Sequence, residues 1–351
     1  MRYFDESLSI RGGVIGALVA ILTGCGGTGI QAPATVTQST TTDVRPNRAG
    51  SWMLPEAKKE SLLYVSLSRV ESNGDDIYVF SYPQGKLVGA LSLTQYYPRG
   101  LCTDRKGHLF VTTWGNSTGT NSVVYEYVHG GTQPIATLSD PGLGNDCAID
   151  PKTGNLAVAN WFGHLGSFDH GSVAVYQGAR GTAIPYYDSN IYWYEWCVYD
   201  TSGNLYVDGY NEGGSYPLAE LPSGSGSFVN LTLDDESIDA QSLQWYGGNL
   251  VIGGWEWTTH QATEQVYEVQ LSGSEGTIVR TTTISTHTRA RKRNANYGEY
   301  ILRGQTLIGV GFNDPQVHLW DFPEGGFPTK SLEAHNAYPA YGVAVSIAPS
   351  H

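Results

Sequence analysis

The sequence predicts an all-β fold, a six-bladed β-propeller of four-stranded blades, on three observations. A polar turn between two short apolar runs recurs along the chain, four strand-like segments fill each interval, and the two chain ends supply complementary parts of one blade.

The turn is clearest in "DRKGHLFV" from 104, "DPKTGNLAV" from 150 and "DTSGNLYV" from 200, where Gly supplies the backbone conformation a tight turn requires. Weaker copies are "WYGGNLVI" from 245 and "LRGQTLIG" from 302, and "SLLYVS" from 61 lacks the preceding turn. Anchor leucines at Leu63, Leu109, Leu156, Leu205, Leu250 and Leu307 lie 46, 47, 49, 45 and 57 residues apart. After each anchor come a variable loop, a third strand such as "SVVYEYV" or "SVAVYQG", a turn, and a fourth strand such as "ATLSD". The first unit begins at what should be its second strand. The closing "YPAYGVAVS" matches the first-strand pattern of "YPRGLCTD" and has no second strand after it. Joined in one blade, the two ends close the ring and remove the open edges of a linear array.

Composition agrees. The 351 residues include 44 Gly, 23 Tyr and 9 Trp with only 15% charged, a profile of a folded, strand-rich chain. A net charge of -13, with 20 basic residues against 33 acidic, argues against nucleic acid as a partner, since phosphate binding needs clustered Lys and Arg. The one basic run, Arg289, Arg291, Lys292 and Arg293, reads as a solvated loop.

The N-terminus carries an address. "VIGALVAIL", residues 14 to 22, is too short to span a bilayer and has the length of a signal-peptide apolar core. It runs into "LTGC", Leu22 to Cys25, which resembles the lipobox of bacterial lipoproteins. That resemblance implies cleavage before Cys25, a signal peptide over residues 1–24, and lipidation of Cys25. Acyl chains there would make the membrane a partner without any transmembrane helix. Gly26 rather than Asp at the next position suggests, by that family's sorting habit, an outer-membrane or periplasmic-side location in the cell envelope. Residues 25–58, rich in Thr, Gly and Pro, read as a flexible tether, leaving 59–351 for the propeller.

The Asp-x-x-Gly-x-Leu motif of Asp104 to Leu109 and the Pro-x-x-Gly motif of Pro339 to Gly342 resemble those of bacterial six-bladed propellers of the NHL and YncE-like kind. "SWMLPEAKKESLLYVS" and "YVFSYPQGKLVG" also resemble a group of uncharacterised bacterial propeller lipoproteins. The kinship implies a fold and an address, not a reaction. It also implies that the loops joining strand 4 to strand 1, and strand 2 to strand 3, share one working face.

In this register Ile191 to Glu195 form a 4-to-1 loop with Tyr192 to Glu195 facing the mouth, while Trp196 and Cys197 pack. Other loops of that face hold Trp114; Trp161, His164 and His170; Trp255, Trp257 and His260; and Tyr96, Tyr97, Tyr297, Tyr338 and Tyr341. The opposite loops are short turns of Gly, Ser, Lys and Asp. Aromatics that only packed blades together would favour strands over loops, so the asymmetry marks a binding face. The candidate ligand-binding residues are Trp114, Trp161, His164, Tyr194, Glu195, Trp255, Trp257, Tyr297 and Tyr341. The alternative for any single Trp is a plug between neighbouring blades.

Six-bladed relatives include metal-dependent lactonases and lyases, so oxygen ligands need weighing. Asn145, Asp146, Asn160 and Asn211 are the candidates for a hard cation, with Glu195, Glu212, Asn313 and Asp314 beside them, and the alternative is side chains capping their own turns. No cofactor is expected, and Ca²⁺ is the ion these oxygens would suit. There is no His-x-x-x-His on a helix and no Cys-x-x-Cys, and Gly115 to Gly119, which has the Gly-x-Ser-x-Gly spacing, falls in a loop between two strands and so makes no strand-to-helix nucleophile elbow. Cys102, Cys147 and Cys197 fall in first strands of successive blades. Two could pair in an exported protein, but their matched positions suggest small buried core residues. The expected function is a lipid-anchored, non-catalytic binder of a glycan, peptide or protein. The alternative is a metal-dependent lactonase or lyase.

Overall fold

The computed structural model describes residues 50–67, 77–93, 97–115, 122–163, 169–235, 238–255, 263–285, 297–311, 314–333 and 340–348. The chain divides into two units, 1–46 and 47–351, and the first lies outside the described residues. Cys25, His164 and Trp257 are outside them too, as are the side chains of Trp255 and Tyr297.

The second unit is almost wholly strand. Its first strands are β1 (Trp52–Met53), β2 (Ser61–Leu67), β3 (Ile77–Tyr82) and β4 (Leu87–Leu91). Next come β5 (Tyr97–Thr103), β6 (Leu109–Trp114), β7 (Ser122–Tyr127) and β8 (Pro134–Asp140), then β9 (Gly144–Ile149), β10 (Leu156–Asn160), β11 (Ser172–Tyr176) and β12 (Ile184–Tyr186). They are followed by β13 (Trp193–Tyr199), β14 (Leu205–Tyr210), β15 (Leu218–Leu221) and β16 (Val229–Leu233), and by β17 (Asp239–Tyr246), β18 (Asn249–Trp255), β19 (Thr263–Ser272) and β20 (Glu275–Ser285). The last are β21 (Tyr297–Arg303), β22 (Thr306–Gly311), β23 (Asp314–Asp321), β24 (Lys330–Glu333) and β25 (Ala340–Ser346).

Hydrogen bonding gathers these into five sheets rather than six: β1-β4-β3-β2-β25, β5 to β8, β9 to β12, an eight-stranded sheet of β13 to β20, and β21 to β24. The eight-stranded sheet consists of two antiparallel groups joined by one short parallel contact, Thr232↔Glu275 and Leu233↔Gly276, between β16 and β20. The cause is length. The β19–β20 hairpin has strands of 10 and 11 residues, and its turn end overreaches the neighbouring edge strand.

Ring closure is as the chain ends suggested. β25 pairs antiparallel with β2, Leu63 opposite Val345 and Val65 opposite Val343, so the last strand completes the first sheet. The strands β25, β5, β9, β13, β17 and β21 pack each against the next, and β21 packs against β25, closing an inner ring. One strand was not foreseen. β1 pairs with β4 at the outer edge, and a 3-10 turn at Pro55–Lys58 follows it, so the folded unit begins inside the stretch read as tether.

The core is divided among clusters lying between neighbouring strand groups. All six anchor leucines are buried, at 0 to 1% exposed, and each faces the group that precedes it around the ring. Their recurrence is therefore a packing requirement. The turns are fixed by local chemistry. Asp104 Oδ1 accepts from the N–H of Lys106 and His108 at 2.9 and 2.8 Å, and Asp200 Oδ1 accepts from Ser202 and Asn204 at 2.7 and 2.9 Å. Gly107 and Gly203 take φ of 81 and 87°, which a side chain would disfavour.

Cys102 and Cys147 form a disulfide, correcting their reading as simple core residues. Their positions do not match. Cys147 and Cys197 lie opposite Val158 and Val207, but Leu101 holds that place in β5, opposite Val111. Cys102 is one residue further on, and successive strand residues face opposite ways. It therefore points towards β9, where Cys147 points back. Cys197 turns the same way as Cys147, meets the Ala148 cluster, and stays a buried free thiol.

Candidate functional site

At one end of the ring every inner strand carries a register shift. The shifts fall at 98–101 in β5, 194–197 in β13, 240–242 in β17 and 297–299 in β21, and the pairings of β9 and β25 shift at 159/160 and 65/67. A bulge strips backbone groups of their ladder partners, and buried ones need replacements. Side chains supply them across the ring. Asp146 Oδ2 accepts from Cys197 N at 2.9 Å, Glu299 Oε2 from Val343 N at 3.0 Å, and Ser242 Oγ from Tyr300 N at 3.2 Å. Where the bulge holds Trp196 or Gly342 instead, the second strand provides the group. Asp208 Oδ1 accepts from Trp196 N at 3.0 Å, and Ser66 Oγ from Gly342 N at 2.7 Å.

The glycine at such a place is forced. A Cβ on Gly342 would lie 2.3 Å from the Arg99 carbonyl oxygen, and one on Gly100 would lie 2.5 Å from Asp146 Cα. Removal from water pushes the carboxyls of Asp146, Asp208 and Glu299 above their usual range, and repulsion from neighbouring acids adds to it at Asp208 and Glu299. These acids are latches between strands.

Around this end runs an arc of aromatic rings. The guanidinium of Arg99, on β5, lies 3.5 Å from the centroid of the Trp114 ring and 3.8 Å from that of Tyr341. Trp114 stands 5.3 Å from Trp161 at 30°, Trp161 stacks on Phe162 at 4.8 Å, and Phe162 meets Trp193 edge-on at 5.6 Å. Trp193 touches Tyr192 and Tyr210, Tyr192 approaches His170 at 3.9 Å, and Tyr210 approaches Tyr216 at 4.1 Å. Trp114, Trp161, Phe162, Tyr192, Trp193, Tyr210 and Tyr341 are all partly exposed. Neighbouring rings cover one another's faces, so they present edges more than open faces. The indole N–H groups of Trp114, Trp161 and Trp193 and the Nε of Arg99 are enclosed, with no hydrogen-bond partner among the described residues.

The sequence candidates divide accordingly. Trp114, Trp161 and Tyr341 join the arc. Glu195 is partly exposed, and its carbonyl oxygen accepts from Asn145 Nδ2 at 3.0 Å. Tyr194 does not face the mouth. It is fully buried among Ala159, Val173 and Val207, and its hydroxyl accepts from Asp188 N at 2.5 Å. β13 starts at Trp193, so this stretch is strand, and alternation sends Trp193 and Tyr194 to opposite sides. Of the oxygen ligands, Asn145 and Asp146 link strands, Asn160 donates to Asp140 Oδ1 at 3.3 Å, and Asn211 caps its own turn through Ser215. These four form no common centre, and the described residues hold no group of three His, Cys, Asp or Glu side chains placed for a metal.

Sequence reasoning passed over Arg99 and Phe162. For Arg99 a signal existed: the corresponding bulge positions hold Asn145, Glu195, Gln241, Gly298 and Tyr341, so Arg99 is the lone cation in that series.

No family model matches the sequence, and no curated protein is similar enough to be recognised as a relative. The fold is similar to that of a chain in the crystal structure of a nidogen/laminin complex, at a TM-score of 0.59 and 13% identity, covering 83% of this chain and 99% of that one. It is also similar to a protein of unknown function from Bacteroides caccae, at a TM-score of 0.55 and 12% identity over 82% of this chain and 99% of the other. At such identities the likeness concerns fold alone, and the fold is a β-propeller.

Proposed function

We propose that this protein is a lipid-anchored propeller of the bacterial cell envelope that binds a ligand, without catalysis, at the aromatic end of its inner ring. The eight-stranded sheet is read as two blades joined at their outer strands, which makes six blades of the NHL and YncE-like kind. What supports this count is the inner ring of β25, β5, β9, β13, β17 and β21 and the core clusters between successive groups.

The observation that carries the binding role is the arc from Tyr341 and Arg99 through Trp114, Trp161 and Phe162 to Trp193. It combines partly exposed rings with donors that have no partner among the described residues. An unpaired buried donor costs roughly 1 to 3 kcal/mol, a cost that a ligand acceptor would offset. The address rests on the Leu-Thr-Gly-Cys motif. The Cys102–Cys147 disulfide agrees with an oxidising compartment outside the cytosol.

The test is a glycan and peptide binding screen of the wild-type protein and of Trp114→Ala with Trp161→Ala. Capture lost in the double variant while the fold is retained supports the proposal. Capture unaffected by the double variant would overturn it. A stoichiometric divalent cation in the purified protein, with melting sensitive to Ca²⁺ and chelator, would favour a metal-dependent lactonase or lyase instead.

A further inference from the structure

Arg99 is 8% exposed, and among the described residues no carboxylate lies within ion-pair distance of it. A guanidinium removed from water without a counter-charge is expensive, so proteins ordinarily pair it. Here the rings of Trp114 and Tyr341 both lie against it, which stabilises the cation through their ring quadrupoles, and the Tyr341 side chain also hydrogen-bonds it, so part of its set of N–H donors is left for other acceptors. Its enclosed Nε has no hydrogen-bond partner among the described residues. The next unpaired groups along the arc, the indole N–H of Trp114, Trp161 and Trp193, are likewise donors. Among the described residues, the unpaired acceptors Asp140 Oδ2 and Asn160 Oδ1 belong instead to a buried cluster with Tyr176, and Asp208 Oδ2 belongs to the carboxylate that latches Trp196 N.

A site with one buried cation, donors and partly exposed rings complements a ligand rich in acceptors that bears an anion beside an apolar ring surface. A peptide backbone fits less well, because it brings as many donors as acceptors. Building on the binding role proposed above, we infer that the mouth takes an acidic saccharide. The sugar carboxylate lies in the plane of the Arg99 guanidinium, and the sugar ring lies against the exposed edges of Trp114 and Trp161. The chain as a whole, at -13, repels anions at long range, so selection for the acid is a short-range effect of the enclosed guanidinium.

The experiment is a titration of the full chain with a galacturonic-acid oligosaccharide and with its methyl ester, read by tryptophan fluorescence. The wild type, Arg99→Gln and Arg99→Lys are compared. The acid should bind the wild type at least about tenfold more tightly than the ester, the scale of one charge-assisted hydrogen bond. That preference should persist at about 0.5 M salt, where long-range attraction is screened. Arg99→Gln should bring the acid to the level of the ester, and Arg99→Lys, which keeps the charge but loses the fork, should fall between. Equal binding of acid and ester by the wild type overturns the inference and needs no variant to fold. A preference that survives Arg99→Gln overturns it as well. Equal binding that is lost in Trp114→Ala would leave the aromatic mouth a binding site and remove only its selectivity for acids. If neither sugar binds, the inference falls, and the wider binding role falls only if the glycan and peptide screen is also silent.

Discussion

Cys102 and Cys147 are disulfide-bonded between neighbouring inner strands, with Cα atoms 5.7 Å apart and a sequence separation of 45. Closing a loop of that size restricts the unfolded chain by about 4 kcal/mol on the chain-entropy estimate. Cys102→Ser should therefore lower unfolding free energy by about 2 to 4 kcal/mol in urea, and reductant should do the same to the wild type. Cys197→Ser, which breaks no bond, should respond to reductant as the wild type does.

Ring closure depends on β25. Removing residues 340–351 leaves the inner edge of β2 unpaired and opens the cluster shared with β21 to β24. The truncated chain should lose its cooperative melt or aggregate. A melt like that of the full chain would refute the closure.

Burial pushes the Asp140 carboxyl up to about 7, against weaker lowering by its bonds from Asn160 and Tyr176. In the unfolded chain it titrates near 4. Between those values the folded state holds a proton that the unfolded state has released, so stability falls as pH rises from about 4 to 7 and levels off above. The other buried acids, Asp146, Asp208 and Glu299, shift in the same direction. Urea unfolding should give a higher midpoint at about pH 5 than at about pH 8, with up to about 3 kcal/mol from Asp140 alone. Asp140→Asn should flatten that slope. A stability that rises with pH across this window would contradict the desolvated carboxyls.

Tyr194 and Trp114 should separate core from surface. Tyr194→Ala empties a fully buried site and should cost about 3 to 5 kcal/mol without acting on ligand directly. Trp114→Ala removes a partly exposed ring, so its stability cost should stay under about 2 kcal/mol while ligand capture is lost.

Anchoring is independent of the fold. Cys25→Ala should abolish incorporation of labelled fatty acid and partitioning into detergent. Unchanged partitioning would sink the lipoprotein assignment.

The sequence by itself determined the repeat, the anchor leucines, the Asp-capped turns and the pairing of the chain ends. Each of these is written in local spacing or local chemistry: an apolar residue in every second strand, an aspartate two residues before the N–H it accepts, an unmatched strand at either end. The aromatic end was legible in the same way, since Trp114, Trp161 and Tyr341 stand at strand ends that the repeat already locates. Only the tertiary structure decided which way individual residues face. A bulge adds a residue and reverses the alternation, so the register that buries Tyr194, exposes Trp193 and turns Cys102 towards Cys147 cannot be counted along the chain. The enclosure of Arg99 depends on Tyr341 too, and the two meet only because the last strand folds back beside the first.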